Sequence, residues 1–355
     1  MNERSNMSYQ IMVLVLATGI IGVSATAQNI HLSQFYQAPL LVNPALTGVF
    51  NGNQRAILNY RNQWASVSDP FTTYAFSYDM SLLKEKGKNK YLGGGLFFFR
   101  DVAGDTKYTT TSANLSLSSI ITLDGGHDLS VGLQGGFAQK SIEESSFQWG
   151  SQFDGTAHNP AIISGESAVF EPYAFGDFSA GLSWSYARES STLSSSDDFY
   201  ASAGIAVYHV NAPKLKYDEQ VLYRELLIHA GTYLGIKNTS LSFVPNIILM
   251  RQGPSTEVNV GALLRYSIRE ESKYTGVLKE TAVYVGAYAR LGDALIPTVV
   301  FEITSYSLGI SYDIVNSDLQ KAAGGKGGIE ISFSFINPNP FKYGKGTRYR
   351  RRSLM

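Results

Sequence analysis

The 355-residue sequence contains no cysteine, so neither a disulfide framework nor a thiolate metal centre can be built from it. Charge is scarce too: Asp, Glu, Lys and Arg make up 16% of the chain, where an ordinary soluble domain carries about 25%. The 29 bases are balanced by 29 acids, which leaves none of the surplus positive charge that carries nucleic-acid affinity, so nucleic acid is excluded as a partner. Beyond the first segment no apolar run is long enough for a membrane-spanning helix. What is plentiful is glycine (34), tyrosine (22) and phenylalanine (19), the mixture expected where aromatic-rich strands meet small residues. A mean hydropathy of −0.06 is far too low for a bundle of membrane helices, but strands that alternate apolar and polar residues average to such a value.

Residues 1–27 carry Arg4, an apolar run from Ile11 to Val23, and Ala25-Thr26-Ala27 before Gln28. That is the layout of a secretory signal with an A-x-A cleavage site, and the apolar run is too short for a span of roughly 20 residues. The expected organisation is a signal peptide (1–27), a pre-barrel segment (28–52), a barrel (53–337) and a basic periplasmic tail (338–355). The tail holds Lys342, Lys345, Arg348, Arg350, Arg351 and Arg352 without an acid among them.

From residue 54 onward the dominant signal is period two, which means strand. Leu129, Val131, Leu133 and Phe137 alternate with Ser130, Gly132, Gln134 and Gly136; Phe178, Ala180, Leu182, Trp184 and Tyr186 alternate with Ser179, Gly181, Ser183 and Ser185. Similar segments recur at 54–64, 72–80, 91–100, 108–121, 199–210, 225–236, 240–250, 257–265, 281–290, 295–303, 307–313 and 329–335. The fold class expected is all-β, a transmembrane up-and-down antiparallel barrel of about 14 strands. A soluble β-sandwich also alternates, but its second face carries Lys, Glu and Thr, whereas here that face is largely Ser, Gly, Asn and Ala with isolated Arg or Glu. Tyr60, Trp64, Tyr78, Tyr91, Trp184, Tyr186, Tyr208, Tyr266, Tyr288 and Tyr312 lie near strand ends, as aromatic girdles do. If the first strand runs outward from the periplasm, the turns at 124–126, 237–239 and 304–305 are periplasmic and the long connection 141–176 is external. Connections 80–90 and 267–280 are then long for periplasmic turns, and 291–294 is short for an external loop.

Arg55, Asn59, Arg61 and Gln63 alternate with Ala56, Leu58, Tyr60 and Trp64, which places both arginines in the lumen. Buried arginines need carboxylates, and Asp79, Glu257, Glu302, Asp313 and Glu330 fall at inward positions. Such a network would hold the barrel closed or fix the opening segment inside it. In that segment Asn43-Pro44 favours an extended turn and Gly48 can supply a positive φ, so the chain is expected to fold back in an ordered way.

Catalytic patterns are missing. The five histidines show no H-E-x-x-H spacing, no G-x-S-x-G occurs, and the glycine runs at 93–95 and 324–327 lack the P-loop pattern. His209 and His229 are expected to face each other across one hairpin, but no serine is marked out beside them. The reading is a non-enzyme with no cofactor and no metal.

The ordered set His31-Leu32-Ser33-Gln34-Phe35-Tyr36, Leu41-Val42-Asn43-Pro44-Ala45-Leu46-Thr47-Gly48 and Asn59-Tyr60-Arg61-Asn62-Gln63-Trp64 resembles the N-terminal signature of the PorP/SprF family. Tyr208-His209-Val210-Asn211, Gly286-Ala287-Tyr288-Ala289-Arg290 with Asp293-Ala294, Gly309-Ile310-Ser311-Tyr312-Asp313 and Glu330-Ile331-Ser332-Phe333 are similar to later family elements. The resemblance implies a cell outer-membrane protein of type IX secretion in Bacteroidota. It further implies partners of three kinds: outer-membrane lipids, other secretion components, and the C-terminal domain of a secreted adhesin, often one used for gliding. The binding residues expected on this basis are Asn43, Pro44, Gly48, Arg61, Gln63, Trp64, Trp149, Phe153, His209, Asp293 and Asp313. Connections 141–176, 211–224 and 315–327 would form the cargo surface. Phe147, Trp149, Phe153, Phe170 and Tyr173 either serve there as interface anchors or pack the loop over the barrel mouth. The alternative function is a passive porin or small-solute channel, which requires an open lumen.

Overall fold

The computed structural model describes residues 30–65, 69–83, 89–143, 147–165, 171–188, 198–216, 221–269, 281–317 and 325–337. The expected signal peptide, the Ser-rich stretch at 190–196, Phe170 and the basic tail lie outside the described residues. Fourteen strands follow one another along the chain: β1 (Gln54–Gln63), β2 (Phe71–Leu82), β3 (Lys90–Ala103), β4 (Tyr108–Thr122), β5 (His127–Ser141), β6 (Tyr173–Arg188) and β7 (Phe199–Tyr208) form the first half. β8 (Glu225–Gly235), β9 (Leu241–Gln252), β10 (Ser255–Arg269), β11 (Thr281–Arg290), β12 (Ala294–Ile303), β13 (Tyr306–Val315) and β14 (Lys326–Asn337) form the second. Each strand pairs antiparallel with its sequence neighbours, and β1 pairs with β14 from Gln54↔Asn337 to Gln63↔Gly328, so the sheet closes into a barrel with no free edge. Closure matters in lipid, where an unpaired strand edge would leave polar backbone groups unsatisfied.

The alternation read from the sequence is the alternation of the two barrel faces. Leu129, Val131, Leu133 and Phe137 are exposed on the outside, as are Phe178, Leu182 and Trp184, while Ser130, Gln134, Ser179 and Ser183 are buried within. Three of the tyrosines expected in girdles are exceptions. Tyr91, Tyr208 and Tyr288 are 7%, 5% and 1% exposed and share the inward parity of Gly93, Ala206 and Arg290. Parity outranks position along the strand, because a one-residue shift would turn every side chain of the strand to the wrong face.

Connections 64–70, 104–107, 142–172, 209–224, 253–254, 291–293 and 316–325 lie at one end, hereafter the loop-bearing mouth. β1 begins and β14 ends at the opposite mouth, where Asn53 N–H donates to Asn337 O at 3.1 Å.

Candidate functional site

Residues 30–50 occupy the lumen. Prolines 39 and 44 start two short helical turns, Pro39–Val42 and Pro44–Leu46, where a fixed φ helps and a missing N–H costs nothing. Between them Asn43 is extended (φ −161°, ψ 121°), and its Oδ1 caps the second turn by accepting from Ala45 N–H at 2.9 Å. Leu32, Phe35, Tyr36, Leu40, Val42 and Leu46 are all buried. Full burial of one such side chain contributes roughly 1.5–3 kcal/mol, so this plug is held by packing as well as by its polar contacts. Tyr36 stacks on Tyr288 of β11 with ring centres 5.3 Å apart, which explains the inward tyrosine.

Two ionic clasps fasten the plug. At the loop-bearing mouth Asp313 accepts from Ser33 Oγ at 2.7 Å, Arg61 Nη2 at 3.0 Å and Arg290 Nη2 at 3.0 Å. Arg61 also donates to His31 O, and Arg290 pairs with Asp293 at 2.8 Å and with Glu257 at 3.4 Å. The Glu330 carboxylate receives the N–H groups of Ser33 and Gln34 at 2.7 and 2.8 Å. Near the opposite mouth Arg55 makes a two-pronged pair with Asp79, both bonds 2.9 Å, and Asp79 Oδ2, which takes Arg55 Nη2, also accepts Gly48 N–H at 2.8 Å. Gly48 itself has φ +72°, a backbone state that favours glycine.

Between the clasps the wall reads the plug's main chain. Ser130 Oγ donates to Ala45 O and Ser118 Oγ to Thr47 O, both at 2.6 Å, while Tyr208 Oη donates to Leu40 O at 3.2 Å. Asn43 Nδ2 donates to Leu182 O at 2.9 Å and lies 3.1 Å from His229 Nε2. Close approach is possible because the wall opposite carries glycine: a Cβ at Gly132 would overlap the Pro44–Ala45 peptide, and one at Gly181 would overlap the Asn43 carboxamide.

The expected binding residues therefore separate into five places. Asn43, Pro44 and Gly48 lie in the plug itself, and Arg61, Asp293 and Asp313 meet in the outer clasp. Gln63 and Trp64 sit at the end of β1, where Trp64 N–H donates to Gly327 O at 2.7 Å and its ring lies 4.9 Å from Phe71. Trp149 and Phe153 belong to the long connection. Its described stretch 147–165 is folded: Gln152 Nε2 donates to Ile162 O, Ser151 Oγ to Ser164 O, and Trp149 packs 5.3 Å from Phe147. Asp154 makes the tight turn there; the N–H groups of Ala157 and Thr156 and the Thr156 hydroxyl hold its carboxyl below the usual carboxylate range. Phe153 and Ile163 remain 59% and 89% exposed.

His209 stands apart from His229. Strand register pairs His229 with Gly204, so the two histidines do not face each other as expected; His209 has already left β7 with φ +54°. Its Nδ1 lies 2.9 Å from Asp177 Oδ2, Val210 N–H donates to Phe178 O, and Asn211 Nδ2 donates to Gly176 O at 2.8 Å. The Tyr-His-x-Asn stretch thus stitches the 209–224 connection onto β6. A hydrogen bond to a charged group is worth about 1.5–3 kcal/mol, so His209→Ala is expected to raise cleavage within 209–224 by about tenfold in limited proteolysis while leaving the plug seated. Equal cleavage in both proteins would show that the pair does not hold the connection.

Sequence reasoning did not single out Ser33, Gln34, Arg290 or His229 as site residues. Arg290 and His229 carried a usable signal, being polar residues at inward strand positions. Ser33 and Gln34 stood only within the resemblance to the family signature and nothing local marked their contacts, because their partners Asp313 and Glu330 lie some 280 and 296 residues away. Among the described residues no group of His, Asp or Glu is arranged to hold a metal ion.

The fold and its site define a class: a closed β-barrel with an apolar exterior, a polar lumen and a plug supplied by its own N-terminal segment. Residues 24–335 match the family model of the type IX secretion system membrane protein PorP/SprF. The chain belongs to that family, and it is an outer-membrane protein of type IX secretion. No curated protein matches it in sequence. Among solved structures it is similar to BamA from Haemophilus ducreyi lacking POTRA domains 1–3 (11% identity, 81% of this chain and 70% of that one, TM-score 0.41). It is also similar to the CymD monoaromatic hydrocarbon channel (10%, 88% and 94%, 0.41) and to the beta domain of the Bordetella autotransporter BrkA (13%, 80% and 99%, 0.37).

Proposed function

We propose that this barrel is a non-enzymatic component of type IX secretion that engages or anchors a secreted adhesin at its loop-bearing mouth and also contacts the secretion machinery. The observation that carries the reading is the doubly clasped plug: most of residues 30–50 are buried in the lumen and tied to its wall near both mouths, an arrangement that favours contact with a partner over passage of a solute. The long connections of that mouth face outward on this reading, as longer external loops do in outer-membrane barrels. The folded 147–165 segment supports a docking role because it holds two large apolar side chains, Phe153 and Ile163, away from the barrel and in water. Trp149, engaged with Phe147, works as a support of that loop.

Affinity purification of the tagged barrel from mildly solubilised outer membranes, followed by mass spectrometry, tests the reading. A large secreted adhesin or secretion subunits are expected in the eluate. A Phe153→Ser, Ile163→Ser double variant is expected to lose at least about tenfold of the captured adhesin with no change in the barrel's own melting, since exposed apolar anchors act in binding rather than folding. A lone barrel that conducts ions steadily in planar bilayers is the result that would establish the porin instead.

A further inference from the structure

Among the described strands two ladders skip rungs, and both skips include a proline. β8 and β9 pair from Glu225↔Gln252 to Gly231↔Asn246 and resume at Leu234↔Phe243, passing over Pro245. β12 and β13 pair at Ala294↔Val315 and Leu295↔Ile314 and resume at Thr298↔Ser311, passing over Pro297. Each proline keeps its pairing on the other side, with Ala262 and Ala287. Proline has no N–H to give across a ladder and is ordinarily kept out of central strands, so these two seams are locally weak. They differ in where the weakness falls. Seven rungs lie on the loop-bearing side of the Pro245 gap but only two on that side of the Pro297 gap. The tip of β13 is loosened on its second side as well, where its ladder with β14 shifts register between Asp313 and Ile314. We propose that this tip, Tyr312–Val315, is a latch: it parts from β12 at the loop-bearing mouth and in doing so unclasps Ser33 and the plug residues around it.

The outer clasp is divided along that seam. Asp313 stands in the gap on β13, and Arg290, the last residue of β11, reaches it from the β12 side at 3.0 Å. The Ser33 hydroxyl joins the two, donating to Asp313 at 2.7 Å and accepting from Arg290 at 2.7 Å. Parting the seam therefore breaks a bond of Ser33. It strands no charge: Asp313 keeps Arg61, while Arg290 keeps Asp293 at 2.8 Å and Glu257 at 3.4 Å. The heavy cost of an unpaired buried ion is thus absent from the opening. Beyond the two rungs the tip is tied across the mouth by Asn316 N–H to Asp293 O at 2.8 Å and by Ser317 Oγ to Asp293 Oδ1 at 3.5 Å. The inner clasp of Arg55, Asp79 and Gly48 involves neither β12 nor β13. The latch can accordingly free the earlier part of the plug while the later part stays seated, and it stands on the ladders and the clasp whatever partner the loops take.

The absence of cysteine lets one introduced disulfide lock the seam. Leu295 and Ile314 face outward and stand directly opposite each other outside the gap, a separation that suits a disulfide. In the full-length Leu295→Cys, Ile314→Cys protein, amide exchange at Ser33 and Gln34 is expected to be at least about tenfold slower oxidised than reduced, because exchange of a buried amide reports the local opening that exposes it. Exchange at Gly48 is expected to be the same in both states. An Ile228→Cys, Leu249→Cys disulfide across the outer rungs of β8 and β9 is the control, and is expected to leave Ser33 and Gln34 unchanged. Pro297→Val restores the missing N–H and is expected to slow the same two amides without any cross-link. Equal exchange in the oxidised and reduced forms, equal slowing by both disulfides, or unchanged exchange in Pro297→Val would each overturn the latch.

Discussion

Asp313→Ala is expected to convert a closed barrel into a conducting one. This carboxylate is the single group on which Ser33, Arg61 and Arg290 converge. Arg290 would keep Asp293 and Glu257, but Arg61, only 4% exposed, would lose the carboxylate 3.0 Å from its Nη2 and keep the His31 carbonyl and the Glu330 side chain of the paired strand. Breaking a buried pair by removing one partner costs about 3–5 kcal/mol where the remaining charge stays buried and uncompensated. Water can solvate that guanidinium only by entering the outer mouth, where the plug has also lost its serine anchor. The measurement is single-channel conductance in planar bilayers with protease access to residues 30–36 as a second readout. The native barrel should stay silent and the alanine variant should show open steps, with Asp313→Asn in between because it keeps an acceptor without the charge. A silent, protease-resistant alanine variant would show that the inner clasp and packing alone seat the plug.

Gly132→Val is expected to lift the middle of the plug off its wall while the strands stay paired. Gly132 faces the lumen between Ser130 and Gln134, and the Pro44–Ala45 peptide lies directly against it. Even a methyl group there overlaps backbone, and a branched side chain cannot be relieved by a rotamer change in a neighbour. Overpacking of this kind costs about 1–3 kcal/mol, and the displaced peptide would also lose the Ser130 bond to Ala45 O and strain the Asn43 contacts. Valine favours strands, so the barrel itself is not weakened. A lower melting temperature, faster exchange of the Ala45–Thr47 amides and unchanged β-sheet circular dichroism are the expected set. Loss of the sheet signal as well would mean that the plug is needed for the barrel to close at all.

Much of the fold was legible because period two is a local property. Leu129 to Phe137 announced an outer face and Ser130 to Gln134 an inner one without any knowledge of their neighbours, and fourteen such segments imply closure. The lumen position of Arg55 and Arg61 followed from the same parity, as did the inward list of carboxylates. The candidate site was legible only in its residue types. Parity says that Arg61 and Asp313 point inward; nothing local says that they meet, and nothing in His209 and His229 says that register separates them. The girdle tyrosines show the same limit, since the place of Tyr288 near a strand end suggested lipid and its parity delivered it to Tyr36.

The sequence by itself determined the strand number, the two faces of each strand, the presence of charge in the lumen and the turn chemistry of Pro39, Asn43, Pro44 and Gly48. Only the tertiary structure decided which arginine takes which carboxylate, that the wall grips the plug by its main chain, and that the plug runs with its earlier residues toward the long connections. The physical reason is the range of the forces that write each feature. Side-chain alternation and backbone preference act over a few residues and leave a mark in every window of sequence. A clasp between Ser33 and Asp313 exists only after the barrel has closed, and a glycine reserved for a neighbour's backbone reveals its purpose only when that neighbour arrives.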